Sequence, residues 1–237
     1  EPEPEPQKPC RTLASLQALE NLADFRRDWP SFAKVLMPPP TAGPKMTLIP
    51  PRSRDELVEL EPVFQLVETS MGFLPNSILT MAHWPELLQT FAGIGGTVLA
   101  GGELNAELKQ LIAFVVSNAA GCRYCQAHTS HGAERAGASE EKIQAAFAFE
   151  SSDLFSEAER SALRVALHAG MTPNAVEPEH MKTLQQHFTD KQCVEIVAVI
   201  SLFGFLNRWN DTMATTLEEG PRSFASNKLQ DSGWDIA

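Results

Sequence analysis

The chain has 237 residues, an apolar fraction of 43% and a formal net charge of −11. This length suffices for one well-filled core, or for two small repeats that share one. Because nucleic-acid phosphates and anionic membrane surfaces would repel so acidic a chain, we exclude both as general partners. No apolar run reaches the roughly eighteen residues of a membrane-spanning helix, so none is predicted.

The first 46 residues differ in composition from the rest. They contain alternating Glu-Pro at the start and Pro38-Pro39-Pro40 further on. Proline fixes φ and lacks an N–H, so such stretches stay outside helices and sheets. Between them, leucines recur at the spacing of one short amphipathic helix, at Leu13, Leu16, Leu19 and Leu22. We predict that residues 1–46 form a mostly disordered extension with one short helix.

From residue 47 to 221 the apolar residues recur at helical spacing, and no stretch alternates cleanly enough for a strand. Predicted helix starts carry side chains that can cap them, at Asn105, Ser139, Ser156 and Thr189. The longest helix is expected from about Cys193 to Thr216. We therefore predict an all-α domain over residues 47–221, followed by a C-terminal tail at 222–237.

Two predicted helices are weakly alike. The segment from Asn105 to Ser117 and the segment from Thr189 to Ser201 each place a capping residue before an apolar run that ends in serine. Two helical repeats packed together would explain this similarity. Chance likeness between two apolar helices explains it equally well.

The chemistry of the chain concentrates in Gly121-Cys122-Arg123-Tyr124-Cys125, with His128 and His131 behind it. Two cysteines and two histidines at spacing three could suggest zinc. On a helix, however, residues three apart drift by about 60° each, so the four side chains spread over half the cylinder and cannot surround one tetrahedral ion. A merely structural, buried pair is a second interpretation, although the polar neighbours make a dry environment a poor fit.

A redox dithiol is the third interpretation. A Cys-x-x-Cys at a helix N-terminus lies in the positive end of the helix dipole, which favours the thiolate. A thiolate attacks a peroxide to give a sulfenic acid, and the second cysteine then condenses with it to a disulfide. His128 follows Cys125 by one turn and is placed to act as its base or proton donor.

The Cys-x-Tyr-Cys-x-x-His string after a long apolar helix resembles the carboxymuconolactone decarboxylase superfamily, and within it the AhpD-like alkylhydroperoxidase and peroxidase-related branch. The likeness extends over about residues 46–221, including Phe203 to Asp211. It implies an all-α, cofactor-free homo-oligomer, with Cys125 attacking a hydroperoxide and Cys122 resolving. It also implies reduction by a dithiol partner, a lipoyl group or a thioredoxin-like protein. We expect a cytoplasmic protein.

Two positions depart from the family pattern. The family histidine lies four residues after the second cysteine, where this chain has Thr129, and the family's proton-relay glutamate is replaced by Gln110, an amide that takes up no proton. Glu107 and Glu195 are candidate replacements. Glu195 stands alone in an apolar run and needs a partner on a neighbouring element, since Arg208 lies about 20 Å away along the same helix.

The predicted catalytic set is therefore Cys122, Cys125, His128, Glu195 and His131, with neither a metal nor a cofactor. The predicted activity is a thiol-dependent peroxidase of peroxiredoxin type. Two alternatives remain open: a decarboxylase of the superfamily, which acts on an acidic lactone without the cysteine pair, and a non-catalytic redox sensor.

Overall fold

A computed structural model describes Thr47 and residues 49–235. The predictions for residues 1–46, including the short helix and the extension, lie outside the described residues. Within the described part, every regular element is helical, which confirms the all-α prediction. The helices are α1 (Glu61–Met71), α2 (Asn76–Met81), α3 (Pro85–Gly95), α4 (Ala106–Ala120), α5 (Arg123–Arg135), α6 (Glu140–Ala145), α7 (Glu157–Gly170), α8 (Pro178–Gln185), α9 (Asp190–Met213) and α10 (Glu219–Lys228).

Local capping chemistry sets the helix starts. The Asn105 side chain accepts a hydrogen bond from Leu108 N at the start of α4. Ser156 and Thr189 each form a full capping box at α7 and α9. Such caps satisfy backbone N–H groups that would otherwise lack partners, and each stabilises its helix by about 1 kcal/mol. The predicted caps are confirmed at these positions, and Ser139 likewise caps α6.

The centre of the domain is α4, which is buried along most of its length and packs against α5, α7 and α9. Leu111, Ile112 and Phe114 are almost fully buried there. Burial of such a side chain stabilises the fold by about 1.5–3 kcal/mol. A second apolar cluster joins the segment before α1 to α1, α2 and α3 through Leu57, Leu60, Phe64, Ile78, Met81 and Leu88. The two long helices that resemble each other in sequence, α4 and α9, are in direct contact.

Helix α9 is, by length and composition alone, long and apolar enough to cross a membrane. The sequence analysis predicted no such helix. In the structure α9 packs against α4, α5 and α7. Part of its surface remains exposed, at Val194, Val197 and Phe205, and homo-oligomerisation through apolar helical faces stays a prediction.

The segment after residue 221 continues the domain. The boundary predicted between residues 221 and 222 falls inside α10, which packs against α5. Beyond it, Trp234 is buried and its Nε1 donates to Arg123 O at 3.3 Å. Pro221 lies in the first turn of α10, where proline is tolerated because its missing N–H has no helical partner.

Candidate functional site

The dithiol lies at the start of α5. Gly121 ends α4 with φ +77°, a left-handed conformation that glycine adopts without steric cost. Cys122 is the N-cap of α5, and its sulfur accepts a long hydrogen bond of 3.5 Å from Cys125 N. Both thiols are free. The predicted placement of the pair at a helix N-terminus is confirmed.

The two cysteines differ in access. Both cysteines are buried, but Cys125 lines a partly open cavity of about 420 Å³, whereas Cys122 does not. The Cys122 side chain is fully buried behind it. Any molecule held in the cavity therefore meets the Cys125 sulfur first.

The ionisation of Cys122 contradicts the expectation drawn from the helix dipole. The neighbouring Cys125 side chain, together with burial, raises the pKa of the Cys122 thiol well above its ordinary value. Asp211 adds to the rise through its negative charge. Since desolvation and nearby negative charge oppose the thiolate, Cys122 stays protonated at neutral pH.

The cavity is mainly apolar. Its walls come from α1, α3 and α9 and from the turn before α2, and the apolar lining includes Leu66, Val67, Met71, Phe73, Ile78, Phe91, Leu99, Leu202, Phe203 and Leu206. Most of the polar side chains in the lining come from α5, and the full set is Ser70, Ser77, Gln110, Tyr124, Cys125, His128, Thr129, His131, Arg135 and Asn210. An apolar pocket with a few convergent polar groups is typical of a small-molecule site.

His128 is held by a carboxylate that the sequence analysis did not include. Its Nε2 lies 2.6 Å from Glu218 Oε2. The other carboxylate oxygen accepts from the Tyr124 hydroxyl at 2.9 Å and from Asn76 N at 2.5 Å. The His128 ring also stacks on Tyr124, with centroids 4.3 Å apart. The hydrogen bond of His128 thus goes to Glu218 rather than to a thiol.

Burial by itself would raise the pKa of Glu218, but the hydrogen bond and charge of His128, with the Asn76 N–H, hold it below its ordinary value of 4.5. Glu218 is therefore ionised at neutral pH and can only accept, which places a proton on His128 Nε2. Burial and the Glu218 charge raise the pKa of Tyr124 well above its usual range, so the phenol stays a donor. In sequence, Glu218-Glu219 resembles only the acidic start of a helix.

Asn210 contacts the dithiol directly. Its Nδ2 lies 3.4 Å from Cys125 Sγ and donates to Leu206 O at 3.0 Å. The side chain is buried, with 3% exposed. In the sequence, Asn210 falls within the Phe203 to Asp211 segment that resembles the family, and no role was predicted for it.

His131 lies one turn beyond His128 and also lines the cavity. Its ring is between Phe73 and Phe224, with centroid distances of 6.4 and 5.4 Å. Burial and the nearby Arg135 charge lower its pKa. His131 is therefore an edge of the cavity wall, and the structure gives it no hydrogen bond to a thiol.

Glu195 is not brought to the dithiol. Its carboxylate accepts from Glu103 N at 2.8 Å and Leu104 N at 3.1 Å, and lies 3.8 Å from Lys109 Nζ. Gly102, with φ +86°, leaves room for it, since a Cβ there would come within 2.4 Å of the carboxylate. The expected partner on a neighbouring element is confirmed as Lys109. Gln110, at the family's relay position, lines the cavity, and Glu107 pairs instead with Lys142 at 2.7 Å.

A second, more open groove of about 820 Å³ runs along the outer side of α9, and neither thiol lines it. Its walls include Val197, Phe205 and Trp209. Within the part of the chain that the structure describes, no group of three or more His, Cys, Asp or Glu side chains could hold a metal ion.

Comparison with known proteins places the chain in a family. The model for the carboxymuconolactone decarboxylase family matches residues 85–168, which include the dithiol and His128. The chain is also 40% identical to the debrominase Bmp8 over 97% of that protein and 77% of its own length, with a TM-score of 0.73. The chain belongs to the carboxymuconolactone decarboxylase family. That solved structure is a variant with one cysteine replaced by alanine, in complex with 2,3,4-tribromopyrrole.

Other similar proteins are more distant. The uncharacterized protein YdfG of Bacillus subtilis is 29% identical over 109 residues, which are 45% of this chain and 71% of that protein. A peroxidase-related protein from Silicibacter sp. TM1040 is 20% identical, with a TM-score of 0.66 over 76% of this chain and 96% of its own. The latter likeness shows a shared AhpD-like fold.

Proposed function

We propose that the protein is a dithiol-dependent reductase that transfers two electrons to a small hydrophobic substrate. The observation that carries this proposal is the unequal access of the two thiols. Cys125 lines the cavity, and Cys122 lies behind it at the same helix start. This arrangement suits attack by Cys125 and closure of a disulfide by Cys122, in agreement with the roles that the family resemblance implies.

The substrate class that we favour is a brominated aromatic ring. A cavity of about 420 Å³ with Phe73, Phe91, Phe203 and Tyr124 in its walls has the size and apolar character of a site for one small ring. The debrominase that is 40% identical over nearly its whole length binds a tribrominated pyrrole. Both observations support reductive debromination.

The proposed reaction moves two electrons from the two thiols to a C–Br bond of the ring. Cys125 passes its thiol proton to His128, and its Sγ forms a bond to bromine while the electron pair of the C–Br bond stays on the ring carbon, which takes that proton from His128. Cys122 then attacks Cys125 Sγ, bromide leaves, and the disulfide forms with loss of the Cys122 proton. One ring C–Br bond is thereby exchanged for C–H, and two thiols become one disulfide. A dithiol reductant, a lipoyl group or a thioredoxin-like protein, regenerates the pair in a reducing compartment such as the cytoplasm.

His128 is the proposed proton carrier. It lines the cavity together with Cys125, and Glu218 holds its Nε2–H at 2.6 Å. An ionised carboxylate on one imidazole nitrogen orients the ring and fixes the proton on that nitrogen, so that the other nitrogen is free to give or take a proton in the cavity. Glu218 thus fills the relay role that Gln110 cannot.

Hydroperoxide reduction is the second candidate, because a peroxide oxygen is attacked by a thiolate in the same geometry. Cys125 would take the terminal oxygen as a sulfenic acid while His128 protonates the departing alkoxide. Condensation with Cys122 would then release water. The net change is again two electrons, and an apolar cavity suits an alkyl rather than a mineral peroxide.

The test supplies the protein with a dithiol reductant and one of two substrates. With pyrroles that carry three or four bromines it measures bromide release, and with an alkyl hydroperoxide it measures peroxide loss. Thiol oxidation is measured with both. We expect Cys125→Ser to reduce turnover to background, and Cys122→Ser to stop disulfide formation. Cys193→Ser is the matched control, because Cys193 is a free buried cysteine on α9 outside the cavity.

Turnover that survives Cys125→Ser would refute the proposal. Release of carbon dioxide from an acidic lactone, unaffected by both cysteine substitutions, would instead identify a decarboxylase. Disulfide formation without catalytic turnover would identify a sensor.

A further inference from the structure

In the carboxamide of Asn210, only the nitrogen forms hydrogen bonds with the described residues. Its Nδ2 carries two hydrogens, and they point to Leu206 O at 3.0 Å and to Cys125 Sγ at 3.4 Å. A backbone carbonyl can only accept, so the contact with Leu206 fixes which end of the amide is nitrogen. Both donor positions are therefore occupied.

The acceptor end is different. Asn210 Oδ1 is buried, and no donor of the described residues reaches it. A buried carbonyl oxygen without a hydrogen bond is costly, and proteins retain few of them without a reason. Asn210 lines the cavity, and its Oδ1 has almost no accessible surface, so a molecule in the cavity can supply the missing donor once a small shift of the amide or its neighbours opens this oxygen.

Position links this unused oxygen to the chemistry. The same amide that contacts Cys125 Sγ through its nitrogen carries the unpartnered oxygen at its other corner. A donor bound to Oδ1 would therefore lie beside the atom that Cys125 attacks. We propose that Asn210 determines specificity by accepting a hydrogen bond from an N–H or O–H group of the substrate next to the reacting atom.

This inference rests on the proposed function and narrows its substrate class. A brominated pyrrole offers its ring N–H, and an alkyl hydroperoxide offers its O–H. An N-alkylated pyrrole or a dialkyl peroxide has the same apolar body without the donor. The site should reject these analogues, because a pocket built to pair a buried polar group discriminates strongly against a ligand that leaves it unpaired.

Asn207, one turn earlier on α9, is the natural control. It is equally buried, and neither its Oδ1 nor its Nδ2 has a partner among the described residues. It does not line the cavity. A buried amide without partners is therefore not enough to predict a substrate contact. The amide must also line the cavity and lie next to Cys125, as Asn210 does.

The experiment measures binding, so that it does not depend on turnover. In a Cys125→Ala background, calorimetry compares 2,3,4-tribromopyrrole with its N-methyl analogue. We expect roughly tenfold tighter binding of the N–H compound, the effect of one hydrogen bond. In Cys125→Ala/Asn210→Leu the ratio should fall to about one, and with Asn207→Leu it should stay near tenfold.

Asn210→Asp is a second variant, because it keeps acceptor oxygens at this position and should keep the preference for the N–H compound. Thermal unfolding of each variant verifies that it is folded. Three results would overturn the inference. These are equal binding of the two pyrroles by the protein with intact Asn210, a preference that persists in Asn210→Leu, and failure of both pyrroles to bind. A preference for the N–H compound in a protein that does not debrominate would leave Asn210's role intact and refute only the proposed reaction.

Discussion

Two carboxylates of this domain are held in similar ways and differ in what surrounds them. Glu195 accepts from the N–H groups of Glu103 and Leu104 and faces Lys109. Glu218 accepts from Asn76 N and the Tyr124 hydroxyl and faces His128. In both cases backbone N–H groups and a cationic or ionisable partner keep the pKa of the carboxyl below its ordinary value, against the effect of burial.

The difference lies in the partner. Lys109 is buried and its Nζ also donates to Val98 O at 2.9 Å and to Gly101 O, so that the Glu195 group fastens a loop to α4 and α9. His128 lines the same cavity as Cys125, and imidazole is the side-chain type best suited to exchanging protons near neutral pH. A low carboxyl pKa is therefore common to both groups, and only the one coupled to a histidine at the cavity is suited to proton transfer.

Substituting each carboxylate by its amide gives the largest expected contrast. Glu218→Gln should lower kcat with brominated pyrrole by about 100-fold, the lower end of the range for general acid–base catalysis, because His128 loses the charge that orients it. Glu195→Gln should leave kcat within about twofold. Steady-state kinetics of both variants measures the contrast; equal losses in the two would contradict it.

Substitution of Lys109 should show that the Glu195 group contributes to the stability of the fold and not to catalysis. Lys109→Met leaves the Glu195 carboxylate and two backbone carbonyls without their cation. We expect the free energy of unfolding to fall by about 2 kcal/mol, below the value for a fully buried pair since the Glu195 side chain is 14% exposed. Urea unfolding measures this change. The kcat of the folded variant should stay near that of the wild type, and a large loss of kcat would instead connect Lys109 to catalysis.

Loss of the Tyr124 hydroxyl tests how tightly Glu218 must be held. Tyr124→Phe removes one of its donors and retains the ring that stacks on His128. We expect about fivefold lower kcat, since one hydrogen bond contributes about 1 kcal/mol. Phe114→Leu, a buried change on α4 outside the cavity, is a control for general loosening of the core. A kcat unchanged in Tyr124→Phe would show that Asn76 and His128 suffice.

The smallest effect concerns stability and pH. Because the pKa of Glu218 is lower in the folded protein than its ordinary value of 4.5, its contribution to stability is complete above about pH 4.5 and is lost as the pH falls through the lowered pKa. Glu218→Gln should therefore lose less stability than the wild type between pH 6 and pH 3, in urea unfolding. Parallel pH curves for the two proteins would mean that Glu218 does not contribute in this way.

Local chemistry explains what the sequence could predict. Asn105, Ser156 and Thr189 cap helices through contacts three residues away, and the thiols at the start of α5 follow from Gly121 and their own spacing. An acidic residue alone in an apolar helix predicts that Glu195 has a partner, but it does not predict what the pair does. Glu218 gave no local signal, because its identity as a site residue depends on His128, 90 residues earlier in the chain.

The separation of His128 and Glu218 in the sequence also means that the two residues are synthesised at different times. A ribosome that adds about 5–20 residues per second makes Glu218 roughly 5–20 s after His128. Throughout that interval the nascent chain carries both thiols without the carboxylate that binds the His128 ring. The position of the proposed proton carrier is therefore completed only when the segment that follows α9 has been made.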